Sequence, residues 1–215
     1  MTLDKRRHRL FVEGVSDAVV INKLVALRLQ EDISSPRLIE PGDAGGGFDF
    51  VRDQLEAALV TQKLERFGGV VDRDGLDGKP DRWHAMRALL GANALELGEP
   101  GSGGFLAQTS WGARVGLWMM PDNVRPGDLE NFVEGLVPAD APDRAWADDA
   151  SRIACERGAP FKPVQARKAS LHTWLAWRDP PGLPYGTAIE TSQIGTVSPA
   201  ADAFVLWFKR LFLDP

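Results

Sequence analysis

The stretch Phe67-Gly68-Gly69-Val70-Val71-Asp72-Arg73-Asp74-Gly75 combines a short apolar segment with two carboxylates at its end. Because Val70 and Val71 are β-branched and the run is too short for a helix, we predict a buried strand. Asp72 and Asp74 are two residues apart, a spacing that points both side chains to one side of an extended backbone. Their mutual repulsion favours a cation between them, and Mg²⁺ prefers such oxygen ligands. The same letters also form ordinary turns, so other acids must support a metal site.

The composition is that of an ordinary globular protein. The chain has 215 residues, of which 44% are hydrophobic and 26% charged, which is enough for one α/β domain with a full core. Its formal net charge of −5 argues against bulk nucleic-acid binding, although a local basic patch or a bridging metal still permits such contact. No apolar run is long enough to cross a bilayer and no signal peptide is evident. We therefore expect a cytoplasmic protein without membrane contact.

Strands and helices alternate through the first part of the sequence. Predicted helices at Asp17–Gln30 and Phe48–Arg66 alternate with strands that end at Glu13 and Asp72. This order predicts right-handed crossovers and a mostly parallel central sheet flanked by helices, which is an α/β fold.

The second part of the sequence is mainly helical. Its last predicted helix runs from Pro199 to Phe212, and a loop rich in Pro and Gly is expected at residues 179–186. No linker separates the two parts. We therefore predict an α/β core at residues 1–137 and a helical C-terminal extension at residues 138–215, packed on the core as a single compact unit.

Acidic residues follow three of the predicted strands. Glu13 follows the first strand, Asp72 and Asp74 end the strand described above, and Asp122 follows a late strand at Arg114–Met120. The carboxyl ends of parallel strands meet at one sheet edge, where ligands bind. Because clustered carboxylates repel one another without a cation, we predict a Mg²⁺ or Mn²⁺ site formed by these four acids. The alternative is that each acid serves as a helix cap or a turn residue.

Two of these motifs also resemble a known fold. A strand ending in Glu13-Gly14, followed by a strand ending in Asp72-Arg73-Asp74-Gly75, is similar to the Toprim fold of topoisomerases, primases and small nucleases. Four further segments resemble DUF3226, a family of Toprim-like prokaryotic proteins: Val115–Asn123, Gly127–Phe132, Lys168–Ala176 and Trp207–Phe212. The resemblance covers most of the chain and implies a Toprim-like, Rossmann-like sheet.

The resemblance implies roles for individual residues. In Toprim enzymes the glutamate is a general acid or base and the Asp-x-Asp pair holds Mg²⁺, which gives these roles to Glu13 and to Asp72 and Asp74. Lys168 resembles the lysine with which OLD-type nucleases neutralise developing charge. The alternative is that Lys168 is an ordinary surface lysine. The implied reaction is phosphodiester cleavage in DNA or RNA. A topoisomerase also needs a tyrosine on another domain. Tyr185 is the single tyrosine here, which argues against a topoisomerase.

A second function from another class remains open. A non-catalytic Toprim-like module would bind a nucleotide or a partner protein such as an ATPase, and the acidic net charge favours it. For a metal site we expect Arg73 to point away from Asp72 and Asp74. Scattered carboxylates, or a site plugged by Arg73 or Lys168, would favour the module. The sequence makes no prediction about oligomeric state.

Overall fold

The computed structural model describes residues 7–30, 38–43, 46–76, 78–138, 141 and 143–215. Within these residues the strands are β1 His8–Val12, β2 Ile39–Pro41, β3 Arg66–Asp72, β4 Phe105–Gln108 and β5 Arg114–Met120. The helices are α1 Val15–Leu29, α2 Gly47–Thr61, α3 Trp83–Ala92, α4 Leu129–Glu134, α5 Asp143–Glu156, α6 Ala166–Ala176, α7 Tyr185–Glu190 and α8 Pro199–Phe212. None of these helices is long and apolar enough to span a membrane.

The five strands form one sheet in the order β2-β1-β3-β5-β4. All neighbours pair in parallel except β4, which runs antiparallel to β5. The prediction of an α/β fold with a mostly parallel sheet is therefore confirmed. β3 is the central strand, and its residues from Phe67 to Val71 are buried, as expected for a strand covered on both faces.

Helices cover both faces of the sheet. On one face α2 and α3 pack against the sheet through side chains such as Leu55 and Met86. On the other face α1 and the C-terminal helices share one core, in which Trp118 of β5 contacts Phe204 and Trp207 of α8. The predicted layer of C-terminal helices against the sheet is therefore confirmed.

Two element boundaries differ from the sequence prediction. Helix α2 ends at Thr61, because Gln62 takes a left-handed conformation with φ of 53° and its N–H closes the last turn on the Ala58 carbonyl. Arg66, the predicted end of that helix, is instead the first residue of β3. The predicted loop at residues 179–186 runs into α7, whose residues Tyr185 and Gly186 are buried. A short helix held by tertiary packing has too weak a period to be recognised from sequence.

Gly68 permits close packing of α8 on the sheet. A Cβ atom at Gly68 would lie 2.6 Å from the carbonyl oxygen of Gly116, its partner on β5, and 2.9 Å from Leu211 of α8. We expect Gly68→Ala to destabilise the protein by about 1–3 kcal/mol, because the backbone must shift. Gly91→Ala is the matched control. With nothing within 4 Å of its Cβ, it should stabilise α3 by about 0.5–1 kcal/mol. Urea unfolding of both variants tests this, and equal effects would contradict it.

Candidate metal and phosphodiester site

Glu13 connects the carboxyl ends of two neighbouring strands. It directly follows β1, which pairs with β3, and its Oε1 accepts a hydrogen bond of 2.8 Å from the backbone N–H of Asp72. The same oxygen lies 2.7 Å from Nη1 of Arg82. Burial raises the pKa of Glu13, and this effect exceeds the opposing attraction of Arg82. The carboxyl group is therefore held at the sheet edge, as the sequence predicted.

Asp72 lies at the end of β3 and faces a helix start. Its Oδ1 accepts a hydrogen bond of 2.9 Å from the backbone N–H of Leu129, the first residue of α4. Burial, followed by the charges of Glu13 and Asp17, raises the pKa of Asp72 well above its usual value. The fold thus holds a carboxyl group among other acids, a position where its ionised form is unfavourable without a nearby cation.

Asp74 is fixed in an unusual backbone conformation. Its φ of 57° is left-handed, and its N–H and carbonyl exchange hydrogen bonds of 2.7 and 2.9 Å with Gly127. The residue is only 2% exposed, and its two carboxylate oxygens lie 2.8 Å from Nζ of Lys79 and 3.0 Å from Nη2 of Arg82. Both oxygens therefore already have cationic partners.

Arg82 bridges two of the predicted metal ligands. Its guanidinium forms ion pairs with Glu13 and with Asp74, and it also lies over the ring of Phe48, 4.6 Å from the centroid. A cation does lie between the converging carboxylates, but it is a side chain of this protein. Sequence reasoning missed both Arg82 and Lys79, since they belong to the irregular segment between β3 and α3.

Arg73 points away from the acids on either side of it. Its guanidinium pairs with Asp81 at 2.9 Å, donates to the carbonyl of Asn123 at 3.2 Å and to that of Val124, and lies 5.7 Å from the ring centroid of Trp83. The expectation that Arg73 leaves the carboxylates clear is confirmed.

The structure places Asp122 in a turn. Its Oδ1 accepts hydrogen bonds from the backbone N–H groups of Val124 and Arg125, at 3.1 and 2.8 Å, and its Oδ2 lies 2.6 Å from Nε of Arg125. Burial acts to raise the pKa of Asp122, but these contacts outweigh it and hold the pKa below its usual value. We therefore assign Asp122 to the turn and do not include it among the proposed metal ligands.

Three further acids surround the predicted pair. Asp17, in the first turn of α1, is 9% exposed, and burial with the charge of Glu13 raises its pKa to about 7. Asp128 caps α4 in a reciprocal pair of hydrogen bonds with Asn131, and its pKa is raised by burial. Glu130 follows in the first turn of α4, and its charge acts on both Asp17 and Asp128. The signal that could have found Asp17 is its place four residues after Glu13, at the start of a helix.

Lys168 lies beside this acidic group. It belongs to α6, its side chain is 53% exposed, and its Nζ lies 3.2 Å from Oε1 of Glu130. It is thus a surface lysine that contacts the acidic group at Glu130. It does not plug the predicted site, because the cations that contact Asp74 are Lys79 and Arg82.

The donor set suits a hard divalent ion, whereas the present geometry does not enclose one. Carboxylate oxygens are the ligands of Mg²⁺ and Mn²⁺ in proteins. Among the described residues, however, no group of three or more His, Cys, Asp or Glu side chains is arranged to hold a metal ion. Binding at Glu13 and Asp74 would require the guanidinium of Arg82 to move aside.

Comparison with known proteins identifies a family. Neither the curated proteins nor the solved structures include a match to this chain. A model of a protein family of unknown function, DUF3226, matches residues 7–213. Because this match covers nearly the whole sequence, the chain belongs to the DUF3226 family.

Proposed function

We propose that the protein is a Toprim-like, Mg²⁺- or Mn²⁺-dependent phosphodiester hydrolase that acts on nucleic acid, either DNA or RNA. The observation that carries the proposal is the convergence of buried and partly buried acids at the carboxyl edge of β1 and β3. Those acids are Glu13, Asp17, Asp72, Asp74, Asp128 and Glu130. Burying so many carboxyl groups together is costly, and a divalent cation is the ligand that offsets this cost most directly.

The site offers a separate role for each group. Asp72 and Asp74 would hold the metal ion, which when bound supplies charge stabilisation to the phosphoryl oxygens. Glu13, hydrogen-bonded to the Asp72 N–H, is held where it can accept or give a proton as general base or acid. Lys168 extends from α6 beside Glu130 and would place positive charge near the phosphodiester.

One observation favours the alternative, a non-catalytic module that binds a nucleotide or a partner protein such as an ATPase. The cations of Arg82 and Lys79 neutralise Glu13 and Asp74. A site neutralised by its own side chains would be a stable structural feature with no need of metal. The two functions therefore differ in whether a divalent cation displaces Arg82.

A cleavage assay tests the hydrolase proposal. Purified protein is incubated with single- and double-stranded DNA and RNA, with Mg²⁺, with Mn²⁺ or with EDTA. We expect metal-dependent cleavage that falls at least about a hundredfold in Glu13→Gln, the scale typical of a general acid or base. Glu99→Gln, at an acid whose side chain is 87% exposed, is the control and should cleave as the wild type does. Cleavage that persists in Glu13→Gln would contradict the mechanism, and cleavage of no substrate would favour the module.

A further inference from the structure

A second charged site lies at the opposite end of the sheet, where the parallel strands begin. A cleft of about 880 Å³ is formed where the amino ends of β3 and β5 meet the end of α8. Five cationic side chains line it against two acids, Glu65 and Asp214. The cations come from four separate segments: Arg7, Lys63, Arg66, Arg114 and Arg210. This excess of positive charge contrasts with the net acidic chain, so the cleft is a local site for an anion.

Two of these cations are held side by side by the sheet. Arg66 and Arg114 are partners in the register of β3 and β5, so their side chains start from adjacent strands. Their guanidiniums donate to backbone carbonyls, at 2.6 Å from Arg66 to Asp214 and at 2.6 Å from Arg114 to Arg210. Burial and the charge of Arg114 lower the pKa of Arg66. Arg114 also donates to the carbonyl oxygens of Asp214 and Pro215, at 3.1 and 2.7 Å, so both guanidiniums are held in place by the segment after α8. The two like charges side by side give this end of the cleft a positive potential that favours an anion.

The cleft also has cations with no competing partner. Lys63 and Arg210 are exposed, and within the described part of the chain neither forms an ion pair. Arg7, by contrast, pairs with Glu65. Free cations at a cleft cost little to reorient toward a bound anion, because no existing contact has to be broken.

Trp111 supplies the aromatic part of the same cleft. It lies in the turn between β4 and β5, is partly buried, and packs on the core that covers that face of the sheet. Its indole N–H is shielded from solvent and has no acceptor within the described residues. The part of Trp111 that remains exposed lines the cleft, so its ring is available to stack with an aromatic ligand group.

We propose that this cleft binds a nucleotide, with its phosphates at the cations and its base against Trp111. A cleft of this size accommodates a ligand as large as a nucleotide. Aromatic side chains beside cations are the combination with which proteins bind nucleotide units, since every base has a face that stacks. The nucleotide can be free or the end of a single strand, because both present the same groups. This site goes beyond the proposed hydrolase and lies at the other end of the sheet from Glu13 and Asp72.

Binding is measured by calorimetry with AMP, ATP, tripolyphosphate and a short single-stranded oligonucleotide, in EDTA so that no metal site contributes. We expect ATP to bind at least about fivefold more tightly than tripolyphosphate, which has the same number of phosphates, since stacking of the base adds to the phosphate contacts. Comparison of ATP with the oligonucleotide distinguishes a free nucleotide from the end of a strand. The result does not depend on catalysis, so failure of the hydrolase proposal would leave it intact.

Matched variants separate this cleft from general charge. Arg210→Gln should weaken ATP binding about tenfold, whereas Lys209→Gln, at the neighbouring exposed lysine of α8, should not. Trp111→Ala should weaken it about fivefold or more, and Trp146→Ala, at a tryptophan that is 66% exposed on α5, should not. Trp111→Phe keeps the packing if Trp111→Ala fails to fold. No nucleotide binding at millimolar concentration, or binding that Arg210→Gln and both Trp111 variants leave unchanged, would overturn the proposal.

Discussion

Replacing Asp72 by Asn is expected to abolish metal-dependent cleavage and, at the same time, to raise the melting temperature. Asp72 is a proposed metal ligand, and an amide binds Mg²⁺ far more weakly than a carboxylate does. A loss of about a thousandfold, or about 4 kcal/mol of transition-state stabilisation, is the expected scale. The hydrogen bond from the Leu129 N–H can persist, because Asn retains an oxygen at Oδ1.

The gain in stability has a separate cause. Burial and the charges of Glu13 and Asp17 disfavour ionised Asp72 in the folded protein, and Asn removes that charge without changing the shape. Removing this unfavourable charge should raise the melting temperature in EDTA by about 2–4 °C, the shift that about 1 kcal/mol produces in a chain of this size. Opposite changes in activity and stability are typical of a functional group placed against its own electrostatic preference.

Asp149→Asn is the control for both measurements. Asp149 lies on α5, its side chain is 67% exposed, and its contact is an ion pair with Arg152 on the same helix. We expect cleavage and melting temperature to stay within error of the wild type. If Asp72→Asn cleaved normally, Asp72 would not be a metal ligand. If it lowered the melting temperature, the folded protein would favour the Asp72 charge, and the argument from repulsion would fail.

The sequence predicted which acids lie at the carboxyl edge of the sheet, but it did not predict which cations pair with them. Glu13 and Asp72 were identifiable because each directly ends an apolar strand, and strand ends follow from local pattern. Arg82 was not identifiable, because it belongs to an irregular segment without a periodic pattern, and only the course of that segment brings its guanidinium to Glu13. Asp122 shows the same limit, since two of its hydrogen bonds come from the turn that follows it. Which way such a side chain faces is decided by turn geometry.

The basic cleft illustrates a different limit. The sequence shows no long basic stripe, and its net charge is negative. Arg66 and Arg114 become neighbours only through the register of two parallel strands, and α8 then brings Arg210 to the same place. A charge pattern assembled from distant segments has no signature in a local window, so the structure was needed to find it.

Replacing Arg82 by Ala is expected to destabilise the metal-free protein and to make its stability depend on a divalent cation. Arg82 neutralises Glu13 and Asp74, whose side chains are 14% and 2% exposed. Without Arg82, Asp74 keeps Lys79 but Glu13 loses its cationic partner, and removing one partner of a buried ion pair costs about 3 kcal/mol. In a chain of this size the melting temperature in EDTA should fall by roughly 6–12 °C.

Mn²⁺ should then restore much of this loss, because a cation between the two carboxylates takes the place of the guanidinium. An ion present at about a hundred times its dissociation constant adds about 2.7 kcal/mol, which nearly matches the cost of the substitution. The wild type should respond less, since Mn²⁺ must first displace Arg82. Thermal unfolding across a Mn²⁺ titration measures both responses.

Arg73→Ala is the matched control for this rescue. Arg73 is also mostly buried and also forms an ion pair, but its partner is Asp81 and it points away from the acidic group. Its loss should destabilise the protein without creating a response to Mn²⁺ larger than that of the wild type. Rescue of Arg82→Ala alone would support a metal site that the guanidinium of Arg82 occupies in the metal-free protein. Equal responses in the two variants would mean that these carboxylates bind Arg82 and no metal ion, and the non-catalytic module would then be the better account of the site.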